Sequence, residues 1–307
     1  MSESQKSKTL IVIVGPTAIG KTALAIEVAR HFNTEIISAD SRQFYKEMEI
    51  GTAKPHEEEL AAAKHHFINS HTISQLFSTG DFELEALKTI EQIFEKHDLA
   101  IMVGGSGLYI NAVVNGLDEM PEIDLQIREK LNRQFEEEGI SAIQNQLKEY
   151  DPEYFEKVDQ NNPQRMIRGL EVFLSTGQKL SSMLSATKKQ RPFKIIKIGL
   201  NTDRAKLYTR INTRVDNMIE AGLLEEVKVL TSFRKYNALN TVGYSEIFDY
   251  FDKKISLDEA ISSIKQNTRR FAKRQLTWFR RDDEINWFEP TQTEQVLSLI
   301  DQNLKTP

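Results

Sequence analysis

The stretch "TLIVIVGPTAIGKTALAIEVARHF", residues 9–32, decides the fold of this 307-residue chain. Its first six residues are uncharged and mostly apolar, which predicts a buried β-strand. Its last part carries alanines and leucine at helical spacing, which predicts a helix packed on a sheet. A glycine-containing loop joins the two segments. The opening of the chain therefore predicts an α/β fold.

The loop itself, "GPTAIGKT", matches the Walker A pattern of phosphate-binding loops in full. In such a loop the backbone N–H groups surround phosphate oxygens at a helix N-terminus, the lysine bridges these oxygens, and the last hydroxyl ligates Mg²⁺. A glycine turn that merely joins a strand to a helix is the alternative, which the flanking strand and helix disfavour. The predicted phosphate-binding residues are Gly15, Pro16, Thr17, Ala18, Ile19, Gly20, Lys21 and Thr22, with Thr22 as the Mg²⁺ ligand.

Two more buried strands are predicted at residues 35–40 ("EIISAD") and 98–105 ("DLAIMVGG"). Because the carboxyl ends of parallel strands form the ligand crevice, Asp40 and the turn that ends in Ser106 are expected beside the glycine loop. NTPases and kinases usually place an acid after a second buried strand, where it helps to hold magnesium. Here that strand ends in Gly-Gly-Ser, and Asp40 is the acid placed to serve the site. This pattern favours a phosphate group that leaves over one that is transferred.

Sequence character divides the chain into two parts. Residues 117–192 show long polar helical patterns and no buried strand, which predicts an inserted all-helical subdomain. A strand is predicted at residues 193–200, followed by long amphipathic helices at residues 204–233 and 257–281. The predicted fold class is α/β: residues 1–116 and 193–307 form a P-loop NTPase-like parallel sheet flanked by helices, and residues 117–192 form the helical insertion.

Composition excludes several classes of protein. Hydrophobic residues make up 39% and charged residues 28%, which argues against wholesale disorder. The absence of cysteine excludes disulfides, thiol catalysis and cysteine-ligated zinc. The polar start "MSESQKSK" lacks a secretory signal, and no apolar run is long enough for a membrane span, so a cytoplasmic protein without a membrane partner is expected. His65, His66 and His71 cluster without a carboxylate pattern, which favours a structural role over a metal site.

A formal net charge of -5 would by itself discourage a nucleic-acid partner. Residues 265–281, however, carry seven basic residues and no acid. On this predicted helix Ile261, Ile264, Phe271 and Trp278 are expected to take the buried face and to leave most of the positive charge on the other. A solvated cationic surface is the alternative, but such a density within an acidic protein favours contact with RNA phosphates.

A second arginine pattern lies on the predicted helix that starts at residue 204. Leu207, Ile211 and Val215 share one apolar stripe, and Arg214 falls inside it. Since a charge on a buried face is costly unless it is paired, Arg214 either snorkels, forms an internal salt bridge, or reaches the ligand crevice.

Five further blocks accompany the glycine loop, and together they resemble the tRNA dimethylallyltransferases, the bacterial tRNA isopentenyltransferases (IPP transferases). The blocks are "SADSRQFYKEMEIGTAKP" (38–55), "VGGSGLYI" (103–110), "NNPQRMIRGLEV" (161–172), "TVGYSEI" (241–247) and "RRFAKRQLTWFRR" (269–281). The resemblance implies transfer of a dimethylallyl group from dimethylallyl diphosphate to the exocyclic amine of an adenine at tRNA position 37, beside the anticodon. Mg²⁺ assists and diphosphate leaves. Ser106 departs from the threonine of many members but keeps the hydroxyl.

The resemblance also implies roles for individual residues. Asp40 is the base that takes the proton of the adenine amine, Lys21 and Thr22 act on the leaving diphosphate, Arg214 binds it, and Ser106 completes the catalytic set. The adenine is expected to be flipped into a channel between the core and the insertion. The residues implied in tRNA binding are Asp40, Ser41, Arg42, Gln43, Ser106, Arg128, Gln164, Arg165, Met166, Ile167, Arg168, Arg269, Lys273 and Arg274; among them Gln43 is expected to donate and accept on the base edge.

Three alternatives stay open at the level of sequence. A P-loop small-molecule kinase would use ATP as donor and would need a compact lid. An isopentenyltransferase acting on free adenine nucleotide would share the glycine loop but would not need the basic helix. A non-catalytic RNA-binding protein is disfavoured by the intact Gly20-Lys21-Thr22 and Asp40. The tRNA enzyme is expected to be a monomer.

Overall fold

The computed structural model describes residues 8–118, 120–184 and 188–305. The polar start of the chain, whose pattern predicts that no secretory signal is present, lies outside the described residues except for Lys8. The chain divides into two compact units. The core unit consists of the residues up to Asn115 and those from Gln190 onward, and the insertion unit is Gly116–Lys189.

Six parallel strands form the sheet of the core unit. They are β1 (Thr9–Val14), β2 (Ile36–Ser38), β3 (His65–His66), β4 (Leu99–Gly104), β5 (Lys194–Leu200) and β6 (Asn286–Phe288). Their order across the sheet is β3-β2-β4-β1-β5-β6, and every neighbouring pair is parallel.

Fourteen helices are found among the described residues. In chain order they are α1 (Lys21–Phe32), α2 (Glu57–Ala62), α3 (Thr79–Phe94), α4 (Gly107–Asn115), α5 (Leu125–Glu138), α6 (Ile140–Tyr150), α7 (Pro152–Lys157), α8 (Pro163–Thr176), α9 (Leu180–Met183), α10 (Arg204–Glu220), α11 (Leu223–Val229), α12 (Tyr244–Phe251), α13 (Leu257–Phe279) and α14 (Thr293–Lys305). Short 3₁₀ helices lie at Thr231–Phe233 and Asn237–Leu239. Helices α5 to α9 belong to the insertion unit.

The central strand explains why the opening of the sequence is so apolar. β1 lies between β4 and β5 and is buried along its whole length. Its alternate side chains enter two different hydrophobic cores, with Leu10 and Val12 in one and Ile11 and Ile13 in the other. A parallel strand covered on both faces needs apolar residues at every position, which is the pattern from which the fold was predicted.

The sheet confirms the α/β prediction, and all four predicted strands are present within two residues of their expected ends. β3 and β6 were not predicted, because two or three residues are too few to show a hydrophobic pattern. The single helix predicted at residues 204–233 is wrong: α10 ends at Glu220, and Gly222 adopts φ +100° before α11 begins. This left-handed conformation is accessible to glycine at little cost.

The strand register brings three loops together at one edge of the sheet. Val14 lies opposite Gly104, and Ser38 lies opposite Val103. The loops that follow β1, β2 and β4 therefore leave the sheet side by side, which places the glycine loop, Asp40 and Ser106 at the same edge.

The insertion unit has a hydrophobic core of its own. Its buried residues are Leu131, Ile143, Leu147, Met166, Ile167 and Leu170, from α5, α6 and α8. Among the described residues of the whole chain, no helix combines the length and the apolar composition needed to span a membrane.

Candidate active site

A cavity of about 890 Å³ lies at the carboxyl edge of the sheet within the core unit. Its walls come from the glycine loop with the start of α1, the segment from Ser38 to Glu59, His65 of β3, the end of β4, α10 with the residue that follows it, and the middle of α13. Lys21, Thr22, Asp40 and Arg214 all line it. Four of the five residues predicted to take part in catalysis therefore share one cavity, and the fifth, Ser106, does not line it.

The glycine loop adopts a conformation that depends on its two glycines. Gly15 has φ +148° and Gly20 has φ +107°, both in the region that side chains disfavour. A Cβ at Gly15 would also lie 2.7 Å from the Leu200 carbonyl oxygen. Between the glycines, Ala18 is strained at φ +62°. The loop leads directly into the first turn of α1, where free backbone N–H groups and the helix dipole favour an anion.

The side chain of Lys21 is buried, and burial disfavours its protonated form. Burial lowers the pKa of Lys21 from 10.5 to about 7; the carboxylate of Asp40 opposes this shift, and the charge of Arg214 adds to it. Its Nζ donates to the Pro16 carbonyl at 2.7 Å. A bound anion would place negative charge beside Nζ and stabilise the protonated form of Lys21, so this lysine is suited to contact a phosphate group.

Arg214 lies between the glycine loop and the segment that follows β2. Its Nη1 donates to the Thr17 hydroxyl at 3.5 Å and its Nη2 to the Ala53 carbonyl at 3.4 Å. Burial lowers the pKa of the Arg214 guanidinium, while the charges of Asp40 and Glu59 oppose the shift. No carboxylate of a described residue forms an ion pair with it, so its charge remains available to a ligand in the cavity.

Asp40 is held by one of its two carboxylate oxygens. Oδ1 accepts the backbone N–H groups of Arg42 at 2.9 Å and Gln43 at 3.3 Å, and no described residue donates to Oδ2. Ser106 supports the same turn, because its Oγ accepts the Ser41 N–H at 3.0 Å. The turn fixes the carboxylate and leaves one oxygen without a hydrogen-bond partner among the described residues. Ser106 stabilises this turn and does not line the cavity.

Gln43 does not present a free amide to the cavity, in contrast to the expectation that it donates and accepts on a base edge. Its Nε2 donates to the carbonyls of Thr52 at 3.2 Å and Ala53 at 3.1 Å, and its Oε1 accepts the Ser38 hydroxyl at 3.2 Å. Both amide protons are used within the protein. Gln43 therefore shapes the wall of the cavity. No pattern in the sequence indicates these internal partners.

The segment after β2 is fastened to the helices behind it. Glu226 of α11 accepts the backbone N–H groups of Glu49, Ile50 and Gly51 at 3.0, 2.7 and 3.1 Å, and the Tyr244 hydroxyl donates to the same carboxylate at 2.5 Å. A Cβ at Gly51 would lie 2.5 Å from the Tyr244 ring, so this position has to be glycine. The "TVGYSEI" block thus contributes a support for the cavity wall.

The end of β4 shows why no acid follows this strand. A Cβ at Gly104 would overlap the backbone of Ala39, and one at Gly105 would overlap the amide of Gln275. The space is filled by Gln275 of α13, which donates to the Gly105 carbonyl at 3.0 Å and accepts the Thr17 N–H at 2.8 Å. Sequence reasoning missed Gln275; its one signal is an uncharged polar residue within the basic run.

The orientation of α13 differs from the prediction. Ile264 is buried as expected, but Phe271 is 39% exposed and Trp278 36% exposed. Ala272, Gln275 and Phe279 take the buried positions in this half of the helix. The side carrying Phe271 borders the open cavity, and Trp278 lies against Gly107 at the start of α4.

The basic residues of α13 fall into two groups. Arg269 donates to Asn212 at 2.7 Å and lies over the Tyr208 ring, and Lys265 pairs with Asp216 at 2.5 Å; both are tied to α10. Lys273 and Arg274 are exposed, and no acidic side chain of a described residue pairs with either. Arg274 lies over the ring of Phe271, 5.7 Å from its centroid. The side chains of Lys273 and Arg274 make no hydrogen bond or ion pair with a described residue, which leaves their charges available to phosphates.

In the insertion unit the residues predicted to contact tRNA also divide. Met166 and Ile167 are 0% and 2% exposed within its hydrophobic core, so their side chains do not reach the surface, and the prediction is wrong for these side chains. Gln164 and Arg165 are exposed.

Two more arginines of the insertion unit share one buried acid. Arg128 forms a bidentate pair with the carboxylate of Glu171, which is 0% exposed, and Arg168 lies 3.5 Å from the same carboxylate. Glu171 thus holds both arginines at the edge of the unit's core.

The three clustered histidines have local partners. His65 Nδ1 bonds to the Ala63 carbonyl at 2.8 Å, His66 bonds to Glu35 at 2.6 Å, and His71 to Ser70 at 2.8 Å. Among the described residues no group of three or more His, Asp or Glu side chains is placed to hold a metal ion. These bonds engage one ring nitrogen of each histidine, and the structural role of the histidines stays a prediction.

A parallel sheet flanked by helices, with a glycine loop between β1 and α1 and a buried lysine, an arginine and an aspartate around one cavity, defines an α/β protein with a P-loop-like fold. The model of the IPP transferase family matches residues 43–282. The chain belongs to the IPP transferase family.

The relatives and solved structures agree with this assignment. The chain is 55% identical to the tRNA dimethylallyltransferase of Christiangramia forsetii over 98% of this chain and 100% of that protein. It is 51% identical to that of Flavobacterium johnsoniae over 97% and 99%. The full-length tRNA isopentenylpyrophosphate transferase of Bacillus halodurans matches with a TM-score of 0.73 and 37% identity, covering 97% of each chain. A eukaryotic dimethylallyltransferase acting on tRNA matches with a TM-score of 0.78 and 28% identity, covering 97% of this chain and 77% of that chain.

Proposed function

We propose that the chain transfers a dimethylallyl group from dimethylallyl diphosphate to the exocyclic amine of adenosine 37 of tRNA and releases diphosphate. The observation that carries the proposal is the cavity in which Lys21 and Arg214 face the same space as the free oxygen of Asp40. This arrangement offers cations to a leaving anion and a base to an acceptor. The names of the relatives supply the prenyl group and the tRNA.

The leaving group is stabilised by charge. An allylic diphosphate ionises readily once its negative charge is neutralised, and preorganised donors do this without reorganisation. The N–H groups at the start of α1, Lys21 and Arg214 supply these donors. Because the bound diphosphate raises the pKa of Lys21, the lysine is protonated when the C–O bond breaks.

The cavity has the ligand chemistry for Mg²⁺. The Thr22 hydroxyl and the Asp40 carboxylate both line it, and oxygen ligands are those that Mg²⁺ prefers. Mg²⁺ is usually bound through one or two protein oxygens together with substrate phosphates, so Thr22 with the diphosphate fits this pattern. When bound, the ion would add positive charge beside the leaving group.

The acceptor side depends on Asp40. The exocyclic amine of adenine is a weak nucleophile because its lone pair is delocalised into the ring, so it gains from a carboxylate that accepts a hydrogen bond and then the proton. The turn from Asp40 to Gln43 holds Oδ1, which leaves Oδ2 for this task.

The RNA side rests on exposed cations. Lys273 and Arg274 of α13 and Arg165 of α8 are exposed, and phosphate contacts dominate the affinity of such proteins for nucleic acid. We expect the protein to act as a monomer in the cytoplasm.

The test is a reaction of the purified protein with dimethylallyl diphosphate, Mg²⁺ and unmodified tRNA, followed by mass spectrometry of the digested nucleosides. We expect the mass of one dimethylallyl group on a single adenosine beside the anticodon, and stoichiometric diphosphate. Transfer of the γ-phosphate of labelled ATP to any acceptor would instead support a kinase, and modification of free AMP without modification of tRNA would support the free-nucleotide enzyme.

A further inference from the structure

Gln275 is a buried amide in the middle of a cationic helix. It is 6% exposed, whereas Lys273 and Arg274 beside it are exposed. A buried amide is retained in proteins when its polar atoms have partners. The partners of Gln275 lie outside its own helix and belong to the phosphate-binding end of the sheet.

The two hydrogen bonds fix the orientation of the amide. Oε1 accepts the Thr17 N–H at 2.8 Å, and Nε2 donates to the Gly105 carbonyl at 3.0 Å. Since an N–H group only donates and a carbonyl only accepts, the amide has one orientation that satisfies both. It joins the glycine loop to the carboxyl end of β4.

NTPases and kinases of the P-loop type usually carry an acid at the end of a second buried strand, where it helps to hold magnesium. Here the neutral amide of Gln275, supplied by α13, fills the space beside the end of β4, since a Cβ at Gly105 would overlap its Nε2. Thr17 is held from two sides, through its N–H by Gln275 and through its hydroxyl by Arg214. The glycine loop is thereby tied to α13 and α10 beside the cavity.

We propose that Gln275 is a positioning residue of the diphosphate site, which fixes the glycine loop against the end of β4 so that the loop amides and Lys21 meet the leaving diphosphate without reorganising. The inference rests on the proposed function. Its physical basis is that donors contribute most to catalysis when they are already in place before the charge develops.

The first experiment compares two substitutions of the same type on one helix. Gln275→Met keeps the length of the side chain and removes both hydrogen bonds, whereas Gln266→Met changes an exposed glutamine of α13. We expect Gln275→Met to lower kcat by about 10- to 100-fold, because small misplacements of a reacting group have effects of this size, and to weaken binding of dimethylallyl diphosphate. The KM for tRNA should stay at the wild-type value. Gln266→Met should have the wild-type kcat, the wild-type affinity for dimethylallyl diphosphate and the wild-type KM for tRNA.

The second experiment uses Gln275→Glu and a pH profile. A neutral carboxyl group can accept from Thr17 and donate to Gly105, as the amide does, whereas a carboxylate cannot donate to Gly105. We expect the ratio of variant to wild-type kcat to rise as the pH falls and the carboxyl group is protonated. The ratio removes those titrations that are the same in both proteins. The charged and titratable groups that line the cavity are Lys21, Asp40, Glu49, Lys54, His56, Glu59, His65, Arg210 and Arg214.

The outcomes separate this inference from the proposed function. Wild-type kcat and donor affinity in Gln275→Met, an effect confined to the KM for tRNA, or a pH-independent ratio for Gln275→Glu would each overturn it. Should the wild-type protein fail to prenylate tRNA, the proposed function fails. The inference is then judged by calorimetry with inorganic diphosphate: weaker binding to Gln275→Met than to the wild type supports it, and equal binding overturns it.

Discussion

Lys21 is the first residue of α1 and lines the cavity, so the burial imposed by the fold acts directly on its charge. Burial brings its pKa to about 7, so at pH 8 most of the free protein carries a neutral lysine. A bound diphosphate places negative charge beside Nζ and raises this pKa. At a pH between the pKa of Lys21 in the free protein and its pKa in the complex, the complex therefore holds more protons than the free protein and the free ligand together.

We predict that binding of dimethylallyl diphosphate at pH 8 takes up a proton. Calorimetry in buffers of different ionisation enthalpy measures this uptake, which should fall away below about pH 6, where Lys21 is already protonated in the free protein. In Lys21→Met the uptake should disappear. Equal uptake by the wild type and the variant would assign the proton to another group.

Asp40 gives a second prediction for a single residue. In Asp40→Asn the side-chain oxygen can still accept the N–H groups of Arg42 and Gln43, so the turn should persist. The variant lacks the proton acceptor, and turnover should fall by about 10²–10⁴, while affinity for the donor and for tRNA stays near the wild-type value. Single-turnover kinetics with saturating substrates measure this, and an unchanged rate would exclude Asp40 as the base.

At this scale the sequence predicted which residues share the cavity, but not all of their contacts. Lys21, Thr22 and Asp40 follow from a motif and from the rule that parallel strands end at one edge. The bond between Thr17 and Gln275 joins residues 258 positions apart, and local patterns carry no information about such a contact. The internal partners of Gln43 depend in the same way on how the following segment folds back.

At the scale of elements, α13 shows where periodicity is insufficient. Helical spacing identifies which residues lie near one another on the helix, and it placed Phe271 and Trp278 near Ile264. It does not indicate whether a closed core or an open cavity faces that side. The buried stripe shifts to Ala272, Gln275 and Phe279 because the cavity occupies the neighbouring side.

The two groups of cations on α13 should behave differently. Lys273→Ala and Arg274→Ala should each reduce the slope of log K for tRNA against log salt by somewhat less than one, since each removes one phosphate contact. Arg269→Ala should in addition lower thermal stability, because Arg269 bonds to Asn212 and packs on Tyr208. Filter binding at several salt concentrations and thermal unfolding provide the measurements.

The control for this series is Lys88→Ala, which removes an exposed cation of α3. It should leave the salt slope unchanged. If Lys273→Ala and Arg274→Ala gave the same slope as this control, α13 would not be the phosphate-binding surface.

At the scale of the whole molecule, the net charge by itself predicts the wrong kind of partner. A net charge of -5 disfavours RNA, yet the charge is unevenly distributed, and α13 concentrates exposed cations beside a cavity. The arrangement of a parallel sheet and a helical insertion was predictable because strand and helix patterns alternate clearly along the chain. The short edge strands β3 and β6 were not, since their pairing is decided by the sheet and not by their own residues.

The division into two units leads to the last prediction. All residues that line the cavity belong to the core unit, and the insertion unit has a separate hydrophobic core. Gly116 and Lys189 adjoin, since a Cβ at Gly116 would lie 2.5 Å from the Lys189 side chain. A short glycine-serine linker can therefore replace the residues between them without straining the core unit.

We expect this shortened chain to bind dimethylallyl diphosphate nearly as the full chain does, because no group of the donor site is removed. Prenylation of tRNA should be lost, because the exposed Arg165 and the arginines held by Glu171 are absent. Calorimetry with the donor and nucleoside mass spectrometry measure the two properties separately. In the full-length chain Arg165→Ala is the matched control, and it should raise the KM for tRNA at unchanged donor affinity. A shortened chain that still prenylates tRNA with the wild-type KM would show that the core unit alone recognises the anticodon region.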